Sequence, residues 1–225
     1  MHDRFPLSPM KTPLLSAALL ALWGLAASAS ADTLNPDPAD SGLTSKGEIV
    51  DTAYGCRIGE LYAPGGEAYI VPFQLPKLPA GKVFDTAKLR FQLLALAPGG
   101  KPANADLYGI PGVRADPKPL PADYYQGKDP DPKAVLLQAA FLTADSKVRT
   151  DGATGPFIEA NADAQAALVK FLNDAYANGD NAGKFVFLRI SYAVKDIPDG
   201  DCAYTILTAD AGADEEKPLL TYTFK

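Results

Sequence analysis

Between Lys88 and Leu93 polar and apolar residues alternate one for one, with Lys88, Arg90 and Gln92 on one side and Leu89, Phe91 and Leu93 on the other. Successive side chains of an extended strand point to opposite faces, so this stretch pairs one wet face with one dry face. Glu67–Leu75, Ala105–Ile110, Ala134–Leu142, Lys184–Tyr192, Tyr204–Thr208 and Pro218–Phe224 are also short and rich in β-formers, with Pro, Gly, Asp and Asn between them. Pro72 assigns the first of these to an edge or a bulge, because proline has no amide to give to a ladder. Many short strands broken by turn residues predict an all-β fold, a jelly-roll β-sandwich.

One segment departs from this period. Ala164, Leu168, Phe171, Leu172, Ala175 and Tyr176 recur at three- and four-residue spacing, which predicts a short α-helix with a single apolar stripe. Asn161 or Asp163 caps its start and Asn178-Gly179 stops it. Such a helix caps one open end of the sandwich.

The amino terminus has the make-up of an export signal. Arg4 and Lys11 precede the apolar stretch 14–25, and Ala29-Ser30-Ala31 supplies a small-residue cleavage pattern. Residues 1–31 are therefore assigned as a signal peptide, 32–45 as a flexible leader with two prolines and no apolar period, and 46–225 as one β-sandwich domain. Cleavage removes the single histidine, His2, and the single tryptophan, Trp23. It also makes the net charge of −6 one unit more negative, since Arg4, Lys11 and Asp3 leave together. An acidic chain without basic runs is unsuited to nucleic acid, and nothing after the signal predicts a transmembrane segment. The expected location is secreted, extracellular or periplasmic. In such an oxidising compartment Cys56 and Cys202, the two cysteines of the chain, are expected to form a disulfide. Two thiolates without histidine are too few ligands for zinc.

The stretch LPAGKVFDTAKLRFQLLAL (78–96) followed by ADLYGI (105–110), with KFVFLRISY (184–192), YTILTAD and PLLTYTF as closing strands, resembles secreted β-sandwich domains of the DNRLRE and carbohydrate-binding-module-96 kind. The DYYQG and AVLLQAAFLT segments are similar to those of planctomycete- and verrucomicrobial-type secreted proteins. The resemblance spans about the whole domain. It implies a jelly-roll sandwich on a secreted or surface protein, with relatives that bind polysaccharides such as alginate. Those relatives often carry a carboxy-terminal sorting segment, and its absence here makes free secretion the expectation.

Catalytic chemistry is hard to assemble after signal cleavage. Without histidine there is no Ser-His or Cys-His pair, no histidine base and no histidine-ligated metal. Phosphate-loop, dinucleotide and nucleophile-elbow motifs are missing. Paired carboxylates would suffice for a glycosidase, but most acidic residues stand in turns beside Gly or Pro, where solvated loop charge explains them. Tyr124 and Tyr125 keep a lyase conceivable, in a long loop with Pro111, Pro117, Pro119, Pro121, Pro130 and Pro132. The reading is not an enzyme.

Binding of extracellular polysaccharide, acidic and alginate-like, is the sharper expectation. Lys88 and Arg90 share the wet face of one strand, Arg189 interrupts an apolar one, and together they could grip carboxylates through charge-assisted hydrogen bonds. Tyr108, Tyr124 and Tyr125 are the candidate sugar-stacking rings. This requires the three cations to converge on one face. The alternative is a structural or surface-interaction protein of the cell envelope, marked by an exposed apolar patch or an open sheet edge. No cofactor is required; a structural calcium at Asp196, Asp199 and Asp201 is the one candidate metal site, since calcium takes clustered loop oxygens.

Overall fold

The computed structural model describes residues 31–43, 48–50, 52, 54–59, 68–96, 103–123, 134–150, 155–192 and 204–225. Twelve strands among these form two antiparallel sheets, joined by one helix of 13 residues. The first sheet holds β1 (Asp32–Leu34), β4 (Gly55–Ile58), β6 (Phe84–Leu96), β9 (Phe157–Glu159), β11 (Tyr204–Leu207) and β12 (Leu219–Phe224). Its order is β1-β12-β6-β11-β4, with β9 also on β6. The second runs β3-β2-β5-β10-β7-β8, built from β2 (Ser41–Leu43), β3 (Ile49–Val50), β5 (Ala68–Gln74), β7 (Ala105–Arg114), β8 (Val135–Leu142) and β10 (Phe185–Tyr192). Within this arrangement β5-β10-β7-β8 faces β4-β11-β6-β9, and the chain crosses between the sheets as a jelly roll does.

Alternation drives the packing. Leu89, Phe91 and Leu93 of β6 are fully buried and meet Val186, Leu188 and Ile190 of β10 in one core. Tyr69 packs edge-on to Phe91 and Phe91 edge-on to Phe141, with ring centroids 6.2 and 5.8 Å apart. Helix α1 (Ala162–Asp174) lays Leu168, Phe171 and Leu172 into the same core and packs on β6 and β8. Asn161 caps it, the Oδ1 accepting from Ala164 N at 2.9 Å. Its far end is fastened by Asn173, whose carboxamide pairs with both the amide and the carbonyl of Phe84 at 2.9 and 3.1 Å.

Two expectations change. Residues 32–43 are not a flexible leader: β1 pairs with β12 and β2 with β5, so the segment adds to both sheets. Three-residue strands carry too little period to be visible in sequence, and here neighbouring strands supply the register. Pro72 sits inside a paired strand, opposite Phe187, and not at an edge. Its carbonyl accepts from Asp37 N at 3.0 Å, on the side where β2 has ended, so its missing amide leaves no ladder bond unmade.

Candidate functional site

The structure separates the three candidate cations. Lys88 and Arg90 lie on the outer face of the first sheet, beside Thr221 and Leu219 of β12. Arg189 belongs to the second sheet, between Tyr108 of β7 and Ile70 of β5. Along β10 the residues Val186, Leu188 and Ile190 enter the main core, whereas Phe185 and Phe187 form a second cluster with Ala68 and Ile70. Arg189 shares the side of that second cluster, so it faces away from the core and away from Lys88 and Arg90. The expected convergence of three cations does not occur.

Arg189 is also covered. It is 1% exposed, donates from Nη1 to the Asp123 carbonyl at 3.0 Å, and lies 4.7 Å from the Tyr108 ring centroid. Asp123 in turn takes Arg114 Nη2 and Leu120 N on one carboxylate oxygen, each at 2.7 Å. Arg114 stands 3.5 Å over the ring of Phe187. These bonds pin the proline-rich segment 115–123 to the outer face of the second sheet. Arg189 is therefore a fastening for a loop and not a group offered to a ligand.

Tyr108 belongs to the same structural set. Asp106 is buried and accepts from Tyr108 Oη at 3.0 Å with one oxygen and from Ala140 N at 2.7 Å with the other. Ala140 has a positive φ of 52° at an irregular point of the β7–β8 pairing, and the Asp106 carboxylate holds it there. Gly109 follows, where an added Cβ would come within 2.6 Å of the Phe171 ring. The Asp106-Leu107-Tyr108-Gly109 run is thus committed to a bulge, a cation-π contact and the seat of the helix. Tyr124, Tyr125, Asp196, Asp199, Asp201 and Cys202 lie outside the described residues.

What remains on the first sheet is a coherent polar face. Lys88 is exposed and Arg90 half-buried, with its guanidinium 4.0 Å from the centroid of Phe157. Phe157 arrives on β9, whose register also sets Glu159 opposite Arg90. Thr86 and Thr223 share a hydrogen bond at 2.8 Å, and Thr221 pairs with Lys88 across the strands. Gln92, assigned by alternation to the wet side, is fully buried and reaches toward the Glu215 carbonyl at 3.5 Å. Phe157 is the aromatic partner that sequence reasoning missed. Three strand residues next to a glycine and proline gave no signal strong enough to place it.

Another polar cluster joins the two sheets. Asp40 is buried, and its Oδ2 accepts from Tyr69 Oη and, at 2.9 Å, from Ala209 N. Burial pushes its carboxyl up to about 6, against the opposing pull of those two hydrogen bonds, with Asp210 and Asp37 adding repulsion. Burial likewise raises the Tyr69 hydroxyl well above the ordinary range.

Among the described residues no group of three or more metal-ligating side chains is present, and no helix is long and apolar enough to cross a membrane. No protein-family model matches the chain, and no curated protein matches it.

Proposed function

We propose that this chain is a secreted, non-catalytic module that holds an acidic extracellular polysaccharide on the outer face of its first sheet, around Lys88 and Arg90. The observation that carries the reading is Arg90 laid over Phe157 at 4.0 Å. A stacked guanidinium loses less side-chain freedom when it binds, and its planar fork matches a carboxylate in a way an ammonium does not. Lys88 adds a second, mobile charge two residues away on the same face, and Thr86, Thr221 and Thr223 supply hydroxyls to the same surface. The family resemblance of the strand motifs supports the same reading.

The test is equilibrium binding to alginate, other uronic-acid polymers and neutral glycans at two salt concentrations, with and without calcium. Calcium is included because the sequence offers Asp196, Asp199 and Asp201 as a candidate site for a structural ion. Binding of the acidic polymers that weakens with salt and is lost in Arg90→Ala supports the reading. Silence across acidic and neutral glycans overturns it.

A second reading, a surface-interaction protein of the envelope, is favoured by one observation. The outermost strands of the second sheet carry exposed apolar residues, Ile49 and Val50 on β3 and Val135 and Leu136 on β8. Exposed apolar side chains on terminal strands are a common template for pairing with another chain. Light scattering across a concentration series distinguishes this reading by self-association.

In the oxidising compartment that either reading assigns, Cys56 is expected to be bridged to Cys202. Closing so long a loop stabilises by about 5 kcal/mol in the chain-entropy model. Non-reducing peptide mapping shows directly whether the Cys56 and Cys202 peptides run as one.

A further inference from the structure

A groove of about 420 Å³ opens where the tail of β7 passes the last turn of α1. Phe171 and Val186 form its floor, Val113 and Val135 its apolar flank, and Asp174 and Asn178 its polar rim. The floor is rigid because both residues belong to the core, 7% and 1% exposed, and the Phe171 ring rests directly on Gly109. The volume falls within the range of small-molecule sites.

The charge of the lining selects among occupants. Asp174 is the one formally charged residue in it. The carboxy-terminal end of α1 adds a partial negative charge, and no basic residue stands in its last turn. Lys170 takes one Asp174 oxygen at the exposed flank of the helix. Asn181 is already committed: its Nδ2 donates to the Ala175 carbonyl at 2.6 Å, and its Oδ1 accepts from Lys184 at 2.8 Å. Asn178 and Asp174 are both exposed at the rim. The groove thus joins an apolar floor to an acceptor-rich rim, where the second Asp174 oxygen, the one Lys170 does not take, is in no ion pair among the described residues. We propose that it binds an amino sugar with a free amine, the C–H face of the ring on Phe171 and Val113, the ammonium toward Asp174 and a hydroxyl toward Asn178.

The Lys88–Arg90 face needs an anionic ligand and this groove a cationic one, so the two readings fail separately. The experiment is titration of the full chain with fully deacetylated chitotetraose at pH 6, by calorimetry and by amide-resolved NMR. The N-acetylated tetramer and cellotetraose are run beside it. The expected result is preference for the deacetylated oligomer, with shifted amides around Val113, Val135 and Asn178. Asp174→Asn, at an exposed position, weakens binding roughly threefold to fivefold, the range of a surface ion pair. Val135→Trp, also at an exposed position, fills the groove and abolishes it. Equal binding of all three oligomers, shifts confined to another surface, or full affinity in Val135→Trp would each overturn the proposal.

Discussion

Replacing Asp40 by asparagine tests whether burial or hydrogen bonding governs the carboxyl that ties residues 32–43 to the sandwich. In the folded chain this group titrates at about 6, against 3.8 when free. A raised pKa means that the folded state binds more protons than the unfolded state between those two values, so stability falls as pH rises through that window. Well below pH 4 both states are protonated, and above about pH 6 the fold carries a charge that burial disfavours. The difference of about two units corresponds to roughly 3 kcal/mol between the two limits. Other carboxylates have their own pH dependence, which the comparison of wild type with Asp40→Asn cancels. The amide keeps an oxygen for Tyr69 Oη and Ala209 N but cannot ionise, so any penalty for its NH₂ is independent of pH. Chemical denaturation at pH 4, 5, 6 and 7.5 should show the variant gaining about 2.5 kcal/mol on wild type from the lowest pH to the highest. In thermal melts of a chain this size that is about 5 to 10 °C. A difference that stays flat with pH refutes the argument, and a variant that loses ground as pH rises shows that the Tyr69 and Ala209 hydrogen bonds outweigh burial.

Other outcomes follow from single contacts. Asn161→Ala removes the helix cap and should cost about 1 kcal/mol in chemical denaturation, with Asn161→Gly milder. Gly109→Ala drives a methyl to within 2.6 Å of Phe171 and should cost about 1 to 3 kcal/mol, relieved in part by Phe171→Leu. Asp123→Ala breaks the bonds from Arg114 and Leu120, so trypsin should cleave after Arg114 several-fold faster in the native state while global unfolding changes less. Reduction under denaturant should lower the midpoint of wild type but not of Cys56→Ala, as expected for a bridge to Cys202.

The longer strands were legible because runs of β-formers bounded by turn residues mark them, with alternation clear along β6. β5, β6, β7, β8, β10, β11 and β12 all fall within a few residues of the stretches picked out by β-formers and turn residues, and α1 begins at the cap that Asn161 supplies. β1, β2, β3, β4 and β9 were not legible. Two to four residues hold no period, and such strands exist only because a longer neighbour offers them a ladder.

The division is sharpest between Arg90 and Arg189. Alternation turned Arg90 away from the core, because side-chain direction in a strand is a local property of the backbone. Arg189 was legible only as a cation interrupting an apolar run, and its outward direction comes from the structure. What covers an outward side chain is not local. Arg90 lies over Phe157, brought by a strand more than sixty residues later, and stays half open. Arg189 is sealed by Asp123, sixty-six residues earlier, and becomes part of the packing. The sequence by itself determined the two-faced strands, the capped helix and the acidic, histidine-free character of the domain. Only the tertiary structure decided which outward cations still face water, because that depends on where distant loops come to rest.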